Sequence, residues 1–462
     1  MFASPPRPVD RRARMPRAAM AAAAALLAPA CSIRPPATGA TVTPKQCEFV
    51  TEAMAPRDVA PATARGLAAR IKDALAPGSA GSEQPEMLIL SGGSENGAYG
   101  AGFLSEWAGS RGGRLPAFRV VTGVSTGALQ ATAAFTGDPS PLLEGGYLID
   151  REEDLLQPYS GVTGGPRPSR VRLAAALIRH GALANLEPAR ARLRRILLAR
   201  SRARTGTLLD AVAERAATGA LLFVGVTDMD SGQAVAIDLT ELASRWRAAR
   251  DETRRSALAD CYVDAVIASS SAPMAAPPVF MDGRMYADGG LRFGLFADEV
   301  SDALNKPTEG RTGGTGMLTL ATEPRWRPRS YLIVNTHLDY APRCPELLPA
   351  RDRPATEPCY VGGVHAPWRF DQVALESERI LANQIYRLSK ERLVERIGSR
   401  STQIPTDADI ERDIATYPEL GGRTCAYWRA RDDAEYRPVQ FHARYMRCMV
   451  GVGRGQYRRE HW

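Results

Sequence analysis

Two segments of the chain each place a glycine-rich turn between an apolar strand and a helix. The run Met87–Leu90 leads into Ser91–Gly102, and helical composition continues to Trp107. The run Phe118–Thr122 leads into Gly123–Phe135, which begins as a sharp turn and continues as a helix. Repetition of strand, turn and helix in this order predicts a parallel sheet covered by helices. The sequence therefore predicts an α/β fold.

Composition supports a large folded chain of this kind. Of the 462 residues, 44% are hydrophobic and 24% are charged, which excludes a disordered, collagen-like or coiled-coil protein. The further predicted elements are helices at 62–76, 170–219, 256–271 and 370–397, strands at 221–227, 234–239 and 331–335, and a hairpin turn at 228–232. In the helix at 370–397, apolar residues at one helical face are Val373, Ile380, Leu381, Ile385 and Leu388.

The N-terminal residues have the pattern of an export signal. Residues 1–17 contain five arginines, and residues 18–30 are apolar apart from Pro29. Thirteen residues are too few to span a bilayer as a helix, so residues 1–30 are expected to be a secretory signal peptide. The segment Leu27–Cys31 resembles a bacterial lipobox, which predicts lipidation of Cys31. An ordinary signal cut near Ala30 is the alternative. Both place the protein in a bacterial cell envelope, either lipid-anchored at the outer membrane or in the periplasm.

The six other cysteines fit export to an oxidising compartment. An even number of cysteines in such a compartment suggests disulfides, although six of them allow 15 connectivities. The expected pairs are Cys344–Cys359 and Cys425–Cys448. Cys261 lies in a helical pattern and is expected to be a buried free thiol.

The net charge of +8 does not by itself indicate a polyanion partner. Almost all of the basic residues are arginine, which is typical of a GC-rich genome. The arginine-rich stretch at 190–204 could contact phospholipid headgroups or nucleic acid, but a solvated helix face is the simpler interpretation. No basic and aromatic motif of a known nucleic-acid-binding type is present, so no nucleic-acid partner is expected.

The first candidate catalytic motif is Gly123-Val124-Ser125-Thr126-Gly127, a G-x-S-x-G sequence between a strand and a helix. Small residues at Gly123 and Gly127 allow the backbone to pass closely, so that a sharp turn exposes the serine oxygen. The helix N-terminus that follows favours developing negative charge. Ser125 is therefore the candidate nucleophile.

The second motif is the glycine-rich turn at 91–102, whose glycines allow backbone N–H groups to converge on one point. Such a turn binds either a phosphate or a tetrahedral oxyanion. No Gly-Lys-Ser/Thr follows, and no acidic residue ends the next strand, so nucleotide binding is disfavoured. Beside a serine elbow, Gly92, Gly93 and Ser94 are expected to form an oxyanion hole.

The third motif is Asp288-Gly289-Gly290, in which Asp288 could act as the general base without a histidine. His337 follows a predicted strand and offers an alternative Ser-His-Asp triad in the order Ser, Asp, His. None of the five histidines forms a zinc-ligand spacing, and no metal or cofactor is expected.

With these three motifs in this order, residues 85–294 resemble the patatin-like phospholipase family. The segments Ser269–Pro273 and Pro277-Pro278 also resemble the stretch that precedes the aspartate in that family. The resemblance implies a doubly wound, mostly parallel α/β sheet flanked by helices, and a Ser–Asp dyad that hydrolyses acyl esters of lipids. It assigns the nucleophile to Ser125, the base to Asp288 and the oxyanion loop to Gly92 and Gly93.

The chain departs from the family pattern at two positions of the glycine-rich turn. The family usually has a third glycine where this chain has Ser94, and often a basic residue where it has Asn96. The backbone donor of the oxyanion hole survives this change from glycine to serine only if the position tolerates a negative φ. The domain organisation implied is a signal at 1–30, a tether and lead-in at 31–84, and a catalytic domain at 85–455 with a helical insertion near 140–220.

Three hypotheses about function follow. The first is a serine lipid acyl hydrolase of the phospholipase A, lysophospholipase or esterase type, which acts through an acyl-enzyme on a phospholipid or other acyl ester at a membrane surface. The second is a triad esterase that uses His337. The third is a non-catalytic envelope lipoprotein that keeps the fold as a binding module. The sequence leaves the oligomeric state open.

Overall fold

A computed structural model describes most of the chain from Cys47 onwards. The described residues are 47–49, 51–54, 66–76, 84–159, 162, 170–200, 206–305, 328–339, 360–361, 364–365, 370–436 and 438–462. The predicted signal peptide, Cys31 and the expected pair Cys344–Cys359 lie outside these residues.

The centre of the molecule is a sheet of five parallel strands in the order β6-β3-β2-β10-β13. The strands of the described residues are β1 (Thr51–Ala53), β2 (Glu86–Leu90), β3 (Val120–Val124), β4 (Gln157–Pro158), β5 (Ala184–Asn185), β6 (Leu221–Asp228), β7 (Gln233–Asp238), β8 (Val279–Met281), β9 (Arg284–Asp288), β10 (Arg329–Val334), β11 (Tyr360–Val361), β12 (Val364–His365) and β13 (Arg400–Gln403). The predicted strands at 87–90, 118–122 and 331–335 correspond to β2, β3 and β10.

Antiparallel strands extend the sheet on the β6 side. β7 pairs with β6 through the predicted hairpin turn at 228–232, and β1 pairs with β7. β9 pairs with the end of β6, and β8 pairs with β9. The last residue of β9, Asp288, is thereby brought opposite Val226 of β6. This pairing carries the Asp-Gly-Gly motif to the carboxyl ends of the parallel strands.

Helices cover both faces of the sheet. They are α1 (Leu67–Ala74), α2 (Gly97–Gly109), α3 (Thr126–Thr136), α4 (Ser140–Gly146), α5 (Arg170–His180), α6 (Glu187–Leu198), α7 (Leu208–Ala217), α8 (Leu239–Ala248), α9 (Glu252–Ser269), α10 (Ala297–Asn305), α11 (Phe370–Ile397), α12 (Asp407–Arg412), α13 (Cys425–Glu435) and α14 (Ala443–Glu460). Leu88 and Leu90 of β2 face one apolar cluster, and Met87 and Ile89 face the other. This alternation is what a parallel strand buried on both faces requires. The α/β fold with a mostly parallel sheet flanked by helices is confirmed.

Two glycines allow α2 and α14 to pack closely. A Cβ atom added at Gly453 would lie 2.8 Å from the amide nitrogen of Phe103, and one added at Gly102 would lie 2.8 Å from the carbonyl carbon of Val450. These contacts fix α14 against the helix that follows the glycine-rich turn. The chain's C-terminal region is therefore part of the same core, and α14 extends past the expected domain end at residue 455.

Part of the predicted lead-in at 31–84 also belongs to this fold. β1 adds a strand to the sheet, and Leu67 and Ile71 of α1 are buried in the second cluster. The helical insertion expected near 140–220 contains α4 to α7, together with the two-stranded β4–β5 pair.

The cysteine pairing differs from the expectation at one position. Cys425 and Cys448 form a disulfide as predicted, joining α13 to α14. Cys261 is not a free thiol, because it is bonded to Cys47. The two cysteines are 214 residues apart, and the tertiary fold places residue 47 beside the buried side of α9. Local sequence patterns contain no information about such a distant neighbour.

Helix α11 has the predicted bounds but an unexpected orientation. Val373, Ile380, Leu381 and Leu388 are exposed, whereas Tyr386 and two other apolar residues of the helix are buried in the second cluster, namely Leu393 and Ile397. Apolar residues occur on both sides of this helix, so periodicity alone could not decide which side faces the core. In the described part of the chain, no helix is long and apolar enough to cross a membrane.

Candidate active site

The site lies where the strand order of the sheet changes direction. From β2 the chain continues to the neighbouring strand β3 on one side, whereas from β10 it continues to β13 on the other side. The change of direction therefore lies between β2 and β10. In sheets of this type, ligands bind in the crevice beyond the carboxyl ends of two such strands. A cavity of about 440 Å³ opens there and is lined by Gly93 after β2, Ser125 after β3, Asp288 at the end of β9 and Thr336 after β10.

Ser125 occupies a strained turn between β3 and α3. Its backbone has φ +52° and ψ −123°, which is an uncommon conformation for a residue with a side chain. The turn fits because Gly123 and Gly127 leave space, and a Cβ at Gly127 would lie 2.5 Å from the carbonyl oxygen of Leu90. Ser125 is buried, yet it lines the cavity. This is the geometry expected for the elbow of a serine nucleophile.

The end of α9 holds the elbow in place. The backbone N–H of Ser125 donates to Ser269 Oγ at 2.9 Å, and Ser269 Oγ donates to the carbonyl oxygen of Gly225 at 2.6 Å. Ser270 Oγ donates to the carbonyl oxygen of Ser125 at 3.1 Å. Ser269 and Ser270 thus attach the strained turn to α9 and β6, which gives the Ser-Ser-Ser-Ala-Pro stretch a structural role.

Asp288 is fixed by the strand pairing described above and by short local contacts. Its Oδ1 atom accepts the N–H of Gly290 at 2.7 Å, and its carbonyl oxygen accepts Thr227 Oγ1 at 3.0 Å. Its backbone N–H donates to the carbonyl oxygen of Ser271 at 3.0 Å. Asp288 is only 6% exposed and lines the same cavity as Ser125. The predicted nucleophile and the predicted base therefore share one water-restricted site.

The glycine-rich turn packs against the end of β10. Ser91 Oγ donates to the carbonyl oxygen of Gly92 at 2.7 Å and accepts the N–H of Asn335 at 2.7 Å. Gly93 has φ +153°, and a Cβ there would overlap the carbonyl oxygen of Asn335. Gly92 approaches Ser125 so closely that its Cβ would lie 3.2 Å from that of the serine. The turn can hold this position beside the nucleophile only with glycine at Gly92 and Gly93.

Ser94 corrects the expectation about its backbone. The position has φ +53°, so the serine adopts the left-handed conformation that a glycine would adopt more easily. Its hydroxyl accepts a hydrogen bond from Gln440 Nε2 at 2.8 Å. The other departure from the family pattern is Asn96, whose Oδ1 atom accepts a hydrogen bond from Tyr445 Oη at 2.6 Å. Both departures are therefore compensated by the region around α14, which packs directly on this turn.

The histidine near the site is not the one singled out from the sequence. The ring of His337 contacts Tyr445 Oη at 3.4 Å, and His337 is not among the described residues that line the cavity. His442 does line it, with Nδ1 bonded to Glu95 at 2.8 Å and Nε2 to Asp433 at 2.9 Å. Because both ring nitrogens bind carboxylates, His442 is unsuited to take a proton from Ser125.

Charge around His442 favours its protonated form. Burial alone would lower the pKa of His442, but the hydrogen bonds that its ring donates to Glu95 and Asp433, together with the charge of Glu95, outweigh burial and raise the pKa above its ordinary value of 6.5. Glu95 also forms an ion pair with Arg429 at 2.8 Å. The cluster Glu95, Arg429, Asp433 and His442 thus joins the glycine-rich turn to α13 and α14.

A buried carboxylate holds the neighbouring cavity wall. Glu152 accepts the backbone N–H groups of Val439, Gln440 and Phe441 at 2.7, 2.6 and 2.8 Å. Burial raises the pKa of Glu152, although these three donors oppose the shift. The wall of residues 439–442 is therefore held by polar contacts from both of its ends, through Glu152 and through Glu95.

The rest of the cavity is mainly apolar. Its aliphatic lining residues include Leu129, Leu155, Leu186, Leu193, Ile196 and Ile267. Three of these, Leu186, Leu193 and Ile196, lie on or beside α6, so the arginine-rich helix turns its apolar side towards the cavity. Arg192 and Arg429 add positive charge to the lining. An apolar cavity with a few convergent polar groups suits an acyl chain next to an ester.

Sequence reasoning missed several residues that shape this site. Asn335 had one usable signal, since it is a polar residue at the carboxyl end of a predicted strand. Gln440 and His442 lie 346 and 347 residues from their partners Ser94 and Glu95, so their placement follows only from the tertiary fold. Glu152 and Tyr386 belong to none of the three motifs, and they too reach the cavity region through the tertiary fold.

Comparison with known proteins agrees with this geometry. Residues 88–300 match the sequence model of the patatin-like phospholipase family. The match is to the family that the motifs indicated, and it supports lipid acyl hydrolase activity in general terms. A search of curated proteins gave no match. Among solved structures, VipD from Legionella pneumophila is similar at 18% identity and a TM-score of 0.27, with 46% of each chain covered. The match thus spans less than half of VipD.

Proposed function

We propose that the protein is a serine lipid acyl hydrolase with a Ser125–Asp288 dyad. The observation that carries this proposal is the shared cavity, which is lined by a serine with φ +52°, a buried aspartate and a glycine-rich turn. The apolar lining would hold the acyl chain of a phospholipid or another lipid ester. Among the described residues, the histidine that lines the cavity is His442, and it is bound by two carboxylates, which favours a dyad over a triad.

The proposed reaction has two halves. Asp288 accepts the proton of Ser125 while the serine oxygen attacks the ester carbonyl carbon, and N–H groups of Gly92, Gly93 and Ser94 stabilise the oxyanion. The bond to the alcohol then breaks, and the leaving oxygen takes the proton from Asp288. Water attacks the acyl-enzyme, Asp288 accepts the water proton, and that proton returns to Ser125 as the fatty acid leaves.

A fluorophosphonate probe and a p-nitrophenyl acyl ester test this proposal. The wild type is expected to be labelled and to hydrolyse the ester, and Ser125→Ala to do neither. Ser244→Ala is the matched control, because this helix serine bonds only within α8 and lies outside the cavity lining. Absence of labelling in a folded wild type would favour the binding-module hypothesis instead.

The triad hypothesis is tested with His337→Ala in the same assay. We expect this variant to retain activity within a few-fold, because the His337 ring points to Tyr445. Loss of labelling in folded His337→Ala would reverse the preference and support a triad.

We further propose export to the bacterial cell envelope with lipidation of Cys31. The disulfides Cys47–Cys261 and Cys425–Cys448 support an oxidising compartment. Incorporation of a labelled fatty acid tests the anchor. Cys31→Ser is expected to abolish incorporation, and persistence of the label would contradict the lipobox interpretation.

A further inference from the structure

Tyr386 reaches the centre of the candidate site from α11, a helix that no catalytic motif includes. The residue is only 7% exposed, and it lines the same cavity as Ser125 and Asp288. Its ring packs among the apolar residues of the second cluster. Apolar contacts therefore hold the ring, and the hydroxyl group lies in the cavity with the candidate catalytic groups.

Three glycines leave space for this side chain, namely one in the glycine-rich turn, one in the Asp-Gly-Gly motif and Gly294, which follows that motif. A Cβ at Gly92 would overlap Tyr386 Oη, and one at Gly290 would lie 3.2 Å from it. A Cβ at Gly294 would lie 2.7 Å from the ring atom Cε1. The glycine-rich turn and the Asp-Gly-Gly motif therefore both leave space for the tyrosine, and the hydroxyl lies between them.

The same contacts place the hydroxyl beside both members of the dyad. The Cβ position at Gly92 that meets Tyr386 Oη is 3.2 Å from Ser125 Cβ. The Cβ position at Gly290 that lies near the hydroxyl is 3.0 Å from Asp288 Oδ1. The Gly92 side of Ser125 is also the side on which the oxyanion hole is expected.

We propose that Tyr386 is a catalytic residue whose hydroxyl donates a hydrogen bond to the oxyanion formed from the ester carbonyl. Tyrosine hydroxyls serve this purpose in enzymes because a preorganised donor needs no rearrangement during the reaction. This donor adds to the N–H groups of a turn whose third glycine is replaced by Ser94. The inference rests on the proposed acyl hydrolase function.

Tyr386→Phe tests the proposal, because it removes the hydroxyl and keeps the ring that packs against Gly294. With a p-nitrophenyl ester, kcat is expected to fall about 100-fold, which is the usual effect of losing one oxyanion donor. KM and the acid limb of the pH profile are expected to stay unchanged. The rate of fluorophosphonate labelling should fall in parallel, since the phosphonyl oxygen occupies the oxyanion position.

Tyr262→Phe is the matched control. Tyr262 is fully buried in α9 and bonds Thr132 Oγ1 at 2.9 Å, outside the cavity lining. The Tyr262→Phe variant should lose stability without losing kcat.

Wild-type kcat in folded Tyr386→Phe would overturn the proposal while leaving the dyad intact. A fall in kcat with a shifted acid limb would also overturn it, because the tyrosine would then act through Asp288. An inactive, unlabelled wild type would overturn both the proposed function and this inference.

Discussion

Asn335 and Ser91 bind each other through two hydrogen bonds at the base of the glycine-rich turn. The Asn335 N–H donates to Ser91 Oγ at 2.7 Å, and its side-chain amide donates to the Ser91 carbonyl oxygen at 2.9 Å. The Asn335 Oδ1 atom also accepts the N–H of Gly100 at 3.1 Å. One fully buried side chain thus connects β10, the turn after β2 and the first turns of α2.

Asn335→Asp should therefore damage both stability and activity. A carboxylate at this position would face the Ser91 carbonyl oxygen without a donor, and leaving buried polar groups unsatisfied costs about 1–3 kcal/mol. We expect a comparable fall in the free energy of unfolding in urea and at least a tenfold loss of kcat, because the turn would lose its position.

Asn383→Asp is a matched control for that variant. The Asn383 amide donates to the carbonyl oxygens of His337 and Leu338, away from the glycine-rich turn. It should lower stability with a smaller effect on kcat. Equal losses of kcat in the two variants would contradict a specific role of Asn335 in holding the turn.

Ser94 offers a test of backbone strain at the site. A residue with a side chain in the left-handed region costs about 1–2 kcal/mol relative to its normal conformation. Ser94→Gly relieves this strain and loses the Gln440 contact, whereas Ser94→Ala loses the contact and keeps the strain. Urea unfolding should therefore find the alanine variant less stable than the glycine variant by about 1 kcal/mol. The reverse order would show that the position does not need a positive φ.

Much of the fold could be predicted from the sequence, because the patterns that specify its strands and turns lie within short segments of the chain. The elbow at Ser125 and the strands β2, β3, β6, β7 and β10 each carried a complete pattern of apolar residues and turn glycines. The position of Asp288 followed from its motif, although nothing in the sequence showed that β9 pairs antiparallel with β6 to bring it there.

The rest of the site depends on contacts between distant segments. Tyr386 and His442 reach the cavity only because α11 and α14 pack on opposite faces of the sheet. Both sides of α11 carry apolar residues. The spacing of these residues therefore predicted a helix but could not show which side of it faces the core. Cys261 looked like an ordinary core residue for the same reason, since its partner lies 214 residues away.

The raised pKa of His442 predicts a dependence of stability on pH. A histidine that binds its proton more tightly when folded contributes most below its unfolded pKa of about 6.5. That contribution is lost as the pH rises through the folded-state pKa. The difference in free energy of unfolding between the wild type and His442→Gln should therefore shrink between pH 6 and pH 9.

Urea unfolding at several pH values measures this difference directly. Asp433→Asn should weaken the same pH dependence, because it removes one of the two carboxylates that bind the ring. A difference that stays constant with pH would show that folding does not change the pKa of His442. A difference that grows with pH would reverse the sign of the proposed linkage.

The disulfides Cys47–Cys261 and Cys425–Cys448 should differ in their contribution to stability. In the chain-entropy description, closing a loop stabilises by about 5 kcal/mol for 214 residues and about 3 kcal/mol for 23 residues. Replacing Cys47 and Cys261 together by serine should therefore lower the free energy of unfolding more than replacing Cys425 and Cys448. Each double variant should keep its kcat where it is folded, since none of the four cysteines lines the cavity. Equal losses in urea would indicate that β1 and its flanking residues already hold the N-terminal segment, so that the longer cross-link adds little constraint.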